Sequence, residues 1–349
     1  MENMITKETS KKITFTQVIF TIMVVYIHAY NLDIYAITNA GGISSVCYYL
    51  ERIMYYVTAV AVPGFFFLSG YLFYATLIKE NILKKYRSRL FSLVIPYIIW
   101  NIVGYLFWIV LENIPAIAQK LSTQHMWTLS LGSLGYAFIL PVNSPLWFMR
   151  NLFAVLLLAV PMWFVVKKKW GIIPLAGLLV VSILIRADKY NLVYDLFLFA
   201  LGGYVSLNIN HLFQNDTNKT VRLISIGVLV SYIIISILLP EINLNKYGLQ
   251  LPIDTLLFAS VWFCINRFEK STIMVTDHIS DKRTFIYFSH SILLESMEKL
   301  FFILTGKGVA YALVDYVVMP IITVTILVFV GGFLKKHSPK IWKILNGYR

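Results

Sequence analysis

Apolar runs of about twenty residues recur along the chain of 349 residues, separated by short polar stretches that hold most of its lysines and arginines. A hydrocarbon layer of about 30 Å is crossed by roughly 20 residues of α-helix, so each run is long enough for a transmembrane span. The pattern predicts ten spans, at 13–31, 52–77, 90–111, 146–166, 170–185, 191–209, 223–239, 252–266, 284–304 and 312–333, of which the fifth and eighth are the shortest. The expected fold is therefore all-α, a polytopic membrane bundle. No Gly/Ser-rich or Pro-rich linker and no internal repeat interrupts it, so one domain over residues 1–349 is expected. The first run is long, carries Gln17 and His28, and is not followed by a small-residue cleavage pattern, so it reads as part of the mature protein.

Composition agrees with the pattern: 58% of residues are hydrophobic and 13% charged, and mean hydropathy is +0.73, well above that of an ordinary soluble domain. Net charge is +13. In a soluble chain that surplus would suggest nucleic acid, but here the cations sort by side of the membrane, and no nucleic-acid partner is expected. Lys7, Lys11 and Lys12, the 79–89 cluster, Lys167 to Lys169, the 267–283 group and the C-terminal lysines fall on the side of the N-terminus. The positive-inside bias then places both termini in the cytoplasm, as an even number of spans requires. Cys47 and Cys264 fall near opposite faces in this topology, which excludes a disulfide between them.

The longest outer connection, Glu112 to Pro145, is rich in aromatic and apolar residues and suits re-entrant or interfacial helices acting as a lid or acceptor surface. The C-terminal "KKHSPKIWKILNGYR" has two readings: an amphipathic helix lying on anionic lipid, or a topogenic positive tail.

Polar side chains inside a span cost several kcal/mol unless they face a bundle interior or a wet cavity, which makes them candidates for function. Here these are Gln17 and His28, Ser69, Arg150 and Asn151, and His290, Glu295 and Glu298, with Asp195 and Asp254 near span ends. Eleven helical steps return Gln17 and His28 to nearly one face, about 16 Å apart along the axis, so both line one side at different depths. His28 by itself is either an interhelical hydrogen-bonding residue or a base, and His290 has the same bland alternative. In "VPGFFFLSGYLFY" (62–74), Gly64, Ser69 and Gly70 allow close backbone approach, which helix packing alone would explain. In "SPLWFMRNL" (144–152), Trp147 suits an interfacial anchor, and Arg150, one turn deeper, asks for an anion or carboxylate. In "YRSRLFSLVIPYIIW" (86–100), Arg87 and Arg89 either snorkel to lipid phosphate or bind a phosphorylated ligand from the cytoplasm.

In this order, "VVYIHA", "FFFLSGYLF", "RSRLFSLVIPYIIW", "PLWFMRNL", "FLFALGGY" (197–204) and "FIYFSHSILL" resemble the acyltransferase-3 family of integral membrane acyltransferases, over nearly the whole chain. The resemblance implies an enzyme of the bacterial plasma membrane that moves an acyl group, usually acetyl from acetyl-CoA, to an extracytoplasmic hydroxyl. It implies His28 as catalytic base, from a pattern of Arg or Lys, ten residues, then His. Gln17 stands at the basic position, where it offers a neutral amide to the donor, unless Lys11 or Lys12 substitutes from a turn below. Arg87 and Arg89 become candidates for the CoA phosphates. Arg150, Trp147 and Ser69 are the positions to examine for an oxyanion donor. His290 and Glu295, with Trp147, are the expected acceptor contacts. The expected partners are acyl-CoA, membrane lipid and a surface polysaccharide or lipid-linked sugar, with no permanently bound cofactor and no metal. The esterase-like extracytoplasmic domain of many family members does not follow Arg349, so direct transfer to the glycan is expected. Two alternatives stay open: an exporter of a polysaccharide precursor, and an impaired family member acting in envelope assembly.

Overall fold

The computed structural model describes residues 5–114, 130–215, 218–239, 243–265 and 277–347. Within these residues the chain is helical and forms no strand. The principal helices are α1 (Lys7–His28), α2 (Leu32–Tyr35), α3 (Gly42–Ala59), α4 (Ala61–Ala75), α5 (Ile82–Glu112), α6 (Leu131–Ile139), α7 (Trp147–Val166), α8 (Ile172–Leu184), α9 (Leu192–Asn208), α10 (Asn210–Gln214), α11 (Lys219–Leu238), α12 (Gln250–Cys264), α13 (Arg283–Thr305), α14 (Val309–His337) and α15 (Pro339–Leu345). The predicted run 52–77 falls on both α3 and α4, and each of the others falls mainly on one helix. Among the described residues, six helical segments are long and apolar enough to cross a membrane by length and composition: Lys7–Tyr35, Gly42–Ala75, Lys79–Leu111, Ser144–Val166, Lys219–Leu238 and Val309–His337. The apolar helices at Lys169–Leu184, Leu192–Asn208 and Gln250–Cys264 are shorter. The outer connection is described only from residue 130, where α6 begins; residues 115–129 lie outside the described part. Both cysteines are free.

The helices gather into two compact units, each assembled from three stretches of chain. The first comprises Met1–Val24, Tyr55–Arg87 and Asn151–Ser280, and its tightest packing joins α4 to α9. A Cβ on Gly70 would lie 1.9 Å from the Phe199 carbonyl oxygen, and one on Gly202 would lie 2.1 Å from that of Phe67. The "LSGY" and "LGGY" segments are thus the two halves of one backbone-to-backbone contact. Small residues permit such an approach where lipid supplies no hydrophobic drive for helices to associate. Phe213 stacks on Trp262 at 3.9 Å with planes 4° apart, and the Lys12 ammonium sits 4.2 Å above the Trp262 ring.

The second unit comprises Val25–Met54, Ser88–Arg150 and Asp281–Arg349. Here α13 packs along α14, and α15 folds back toward the start of α13. Trp342 of α15 is 4% exposed, with its ring 5.5 Å from that of Phe285. Of the tail's amphipathic pattern, Trp342 is thus spent inside the protein, while Lys340, Ile341 and Lys343 stay exposed. Just beyond, Asn346 is buried; its Oδ1 accepts from the Phe285 N–H at 3.0 Å and its Nδ2 donates to the Asp281 carbonyl at 2.8 Å. Lys282, which precedes α13, offers no side-chain cap, so Asn346 satisfies an orphan donor of the first turn from 61 residues away. Partial burial disfavours ionisation of Asp281, but Lys335 and Lys282, at 2.8 and 2.9 Å, outweigh it and hold the carboxyl below the ordinary aspartate range.

Replacing Asn346 by alanine is expected to lower stability by about 1–2 kcal/mol, the usual value of a helix cap. Thermal unfolding in detergent reads the loss, and an unchanged midpoint would count against the capping role.

Candidate functional site

His28 is the last residue of α1, a helix unbroken from Lys7, so the predicted common phase of Gln17 and His28 is preserved. The turn beyond α1 fixes the position of His28. Three residues on, the Asn31 N–H donates to Glu51 Oε2 at 3.0 Å, and Asn31 Nδ2 donates to Asp315 Oδ2 at 3.3 Å and to the Ala312 carbonyl at 3.2 Å. Asn31, Glu51 and Asp315 have no solvent exposure. The turn is therefore clamped to α3 by one carboxyl and to α14 by another. Buried polar groups must be hydrogen-bonded to be tolerated, and their loss leaves a partner stranded. Cys47, one turn before Glu51, places its Sγ 3.5 Å from Glu51 Oε1.

The second wall is α13. Asn143 Nδ2 donates to the Phe288 carbonyl at 2.7 Å, and the Tyr287 hydroxyl donates to the Pro145 carbonyl, so the turn before α7 is tied to α13 at two successive residues. One turn further along α13 lies His290, fully buried, with its ring centroid 5.3 Å from that of His28 and the planes at 52°. Its Nδ1 lies 2.8 Å from the Tyr287 carbonyl oxygen and 3.1 Å from that of Ile286. His28 itself is half-buried. Two imidazoles thus meet in the second unit, one partly open and one sealed.

Of the other predicted residues in this unit, Glu295 is half-buried and accepts from Ser291 Oγ at 2.6 Å. Trp147 is half-buried at the start of α7, edge-on to Phe148. The Arg150 guanidinium donates to the Ile139 carbonyl at the end of α6, beside the Tyr97 hydroxyl, which donates to the Phe138 carbonyl at 2.6 Å. A helix C-terminus carries unpaired carbonyls and partial negative charge, so it meets part of the demand that the sequence suggested an anion would meet. Arg89 is half-buried in the first third of α5.

Gln17, Ser69 and Arg87 belong to the first unit. Gln17 is half-buried, and its side-chain amide makes no hydrogen bond among the described residues; Ser69 is half-buried beside Gly70, and Arg87 is exposed. Some buried polar residues of that unit serve one another. Asn151 Nδ2 donates to Asp195 Oδ2 at 2.8 Å, and Asp254 Oδ2 accepts from Tyr194 at 2.6 Å and Gln250 at 2.8 Å. Lys12, considered as a substitute for a basic residue at position 17, has its ammonium on the Trp262 face.

Sequence reasoning missed Glu51, Asp315 and Asn31, although they form the clamp. The signal was available for Asp315, a single carboxylate inside "YALVDYVVMP", where an ionisable residue is costly unless partnered. Among the described residues, no group of three or more His, Cys, Asp or Glu side chains is arranged to hold a metal ion.

A half-buried imidazole at the end of a helix, three residues before the clamped turn, has the chemistry of a proton-transfer group. Residues 11–334 match a family described as an acyltransferase domain. No curated protein and no solved structure matches the chain.

Proposed function

The chain belongs to the acyltransferase-3 family and is a multi-pass membrane acyltransferase, and from that premise we propose that it moves an acetyl group from cytoplasmic acetyl-CoA to a hydroxyl of a cell-surface glycan or lipid-linked sugar in a bacterial plasma membrane. His28 is the general base. It takes the hydroxyl proton as the oxygen attacks the thioester carbonyl; the O–C bond forms, the C–S bond breaks, and the proton passes to the thiolate sulfur. The observation that carries the reading is the half-buried His28, three residues before the clamped Asn31 and beside the buried His290. Arg87 and Arg89 face the CoA phosphates as charge partners, and the uncommitted Gln17 amide hydrogen-bonds the donor at the cytoplasmic end of α1. The tetrahedral oxyanion draws its donors from Trp147 and Arg150. Glu295 contributes to the acceptor side.

The test uses membrane vesicles with the cytoplasmic face outward, isotopically labelled acetyl-CoA and the glycan of the producing cell. Label is expected in the glycan, together with released CoA thiol. Cells without the protein are expected to display the polymer at the surface without acetyl groups. Polymer that no longer reaches the surface would instead assign the chain to export, and the acyl-transfer reading would fall.

A further inference from the structure

We infer that His290 is the positioning partner of His28: its Nε2 is held as a bare acceptor for the ring N–H of His28, which turns the other His28 nitrogen toward the reacting hydroxyl. The inference rests on the reading of His28 as the base.

The tautomer follows from the contacts. Carbonyl oxygens only accept, so the His290 nitrogen that faces the Ile286 and Tyr287 carbonyls carries the proton. In a neutral ring the other nitrogen, Nε2, is then a lone-pair acceptor. That atom is sealed from solvent and has no hydrogen-bond partner among the described residues. Native interiors seldom leave such a group unmatched, and an exception calls for an explanation. The aromatic neighbours of His290 include the ring of Tyr287, whose hydroxyl is committed to Pro145, and the ring of His28. A centroid separation of 5.3 Å leaves room for a nitrogen-to-nitrogen hydrogen bond once the ring edges face each other. Catalytic hydrogen bonds often close only when substrate is bound.

A base on a single side-chain pivot needs such an acceptor. Unless its N–H is held, imidazole presents either nitrogen to the substrate, and the usual remedy is a third group that fixes tautomer and orientation. Carboxylates commonly fill this place. Here the ring that packs against His28 is an imidazole with a buried, unmatched acceptor nitrogen, and it takes the role. When His28 accepts the hydroxyl proton it becomes a donor at both nitrogens, and His290 Nε2 receives one of them until the proton leaves for the thiolate.

Two substitutions separate this role from a structural one. Gln places a polar atom where His carries Nε2, whereas Asn places one where His carries Nδ1. If His290 positions His28, His290→Asn is expected to lower kcat roughly 10²-fold with the KM for acetyl-CoA unchanged, and His290→Gln to keep kcat within about tenfold. A residue needed only for its bonds to the α13 carbonyls would give the opposite order. Rates are taken on protein that elutes as a single species in detergent, from the labelled acetyl-CoA assay, with His28→Ala alongside. A silent His28→Ala with His290→Asn at full rate, or with Gln no better than Asn, overturns the positioning role and leaves the base assignment standing. An active His28→Ala overturns the base assignment itself. Should the Asn variant not fold, the Gln variant decides: a 10²-fold loss of kcat, or a change confined to KM, overturns the inference.

Discussion

Membranes carrying His28→Ala are expected to transfer acetyl groups 10²–10⁴-fold more slowly than membranes carrying the parent chain, the range by which a positioned general base accelerates a reaction. The loss should fall on the chemical step. His28 is half-buried at the end of α1, and the clamp beyond it runs through Asn31, Glu51 and Asp315 rather than through the imidazole. Alanine there removes the base and spares the clamp, so yield and thermal midpoint should change little. His290 does not replace it, because its Nδ1 is held by two carbonyls and its ring is fully buried. Initial rates with labelled acetyl-CoA at saturating donor are the measurement. A rate within a few-fold of the parent would remove His28 from the mechanism.

Gly70→Ala and Gly202→Ala are expected to be the most disruptive single substitutions in the first unit. The added methyl groups would sit 1.9 and 2.1 Å from carbonyl oxygens of the facing helix, and a backbone carbonyl cannot rotate away as a side chain does. The two helices must separate along their closest contact, which exposes unfilled space on both sides. A loss above about 4–5 kcal/mol follows, the exceptional end of single-residue effects. Gly177 and Gly227 supply the control, since a Cβ there meets nothing within 4 Å. Alanine at either is expected to be neutral or to stabilise by up to about 1 kcal/mol through helix propensity. Thermal unfolding in one detergent compares all four variants, and similar midpoints across the set would refute the close-approach argument.

These cases mark what was legible before the fold was known. Long apolar runs announce helices because one rule, backbone satisfaction in lipid, governs them all. The paired glycines were legible as a capacity for close approach, although which helix they approached was not. Arg150 was legible as a cation in need of negative charge, but the charge it met belongs to the end of α6, a property of a helix terminus rather than of any residue type. Glu51 and Asp315 join through Asn31, whose neighbours in space come from α3 and α14. Hydropathy counts each residue alone and cannot register a polar side chain whose cost is offset by a partner far away in sequence. For the same reason α13, with His290, Glu295 and Glu298, is not among the six segments apolar enough by composition to cross a membrane.

The reach of Asn346 back to Phe285 has a consequence for the order in which the protein is made. A ribosome reads the codons of α13 before codon 346, so the helix that bears His290 is made with the first-turn donor that Asn346 later satisfies still open. The start of α13 is therefore capped last, when the closing residues of the second unit arrive. Reporter fusions that sever the chain between 305 and 346, of the kind used to map topology, will sample a nascent protein without this cap.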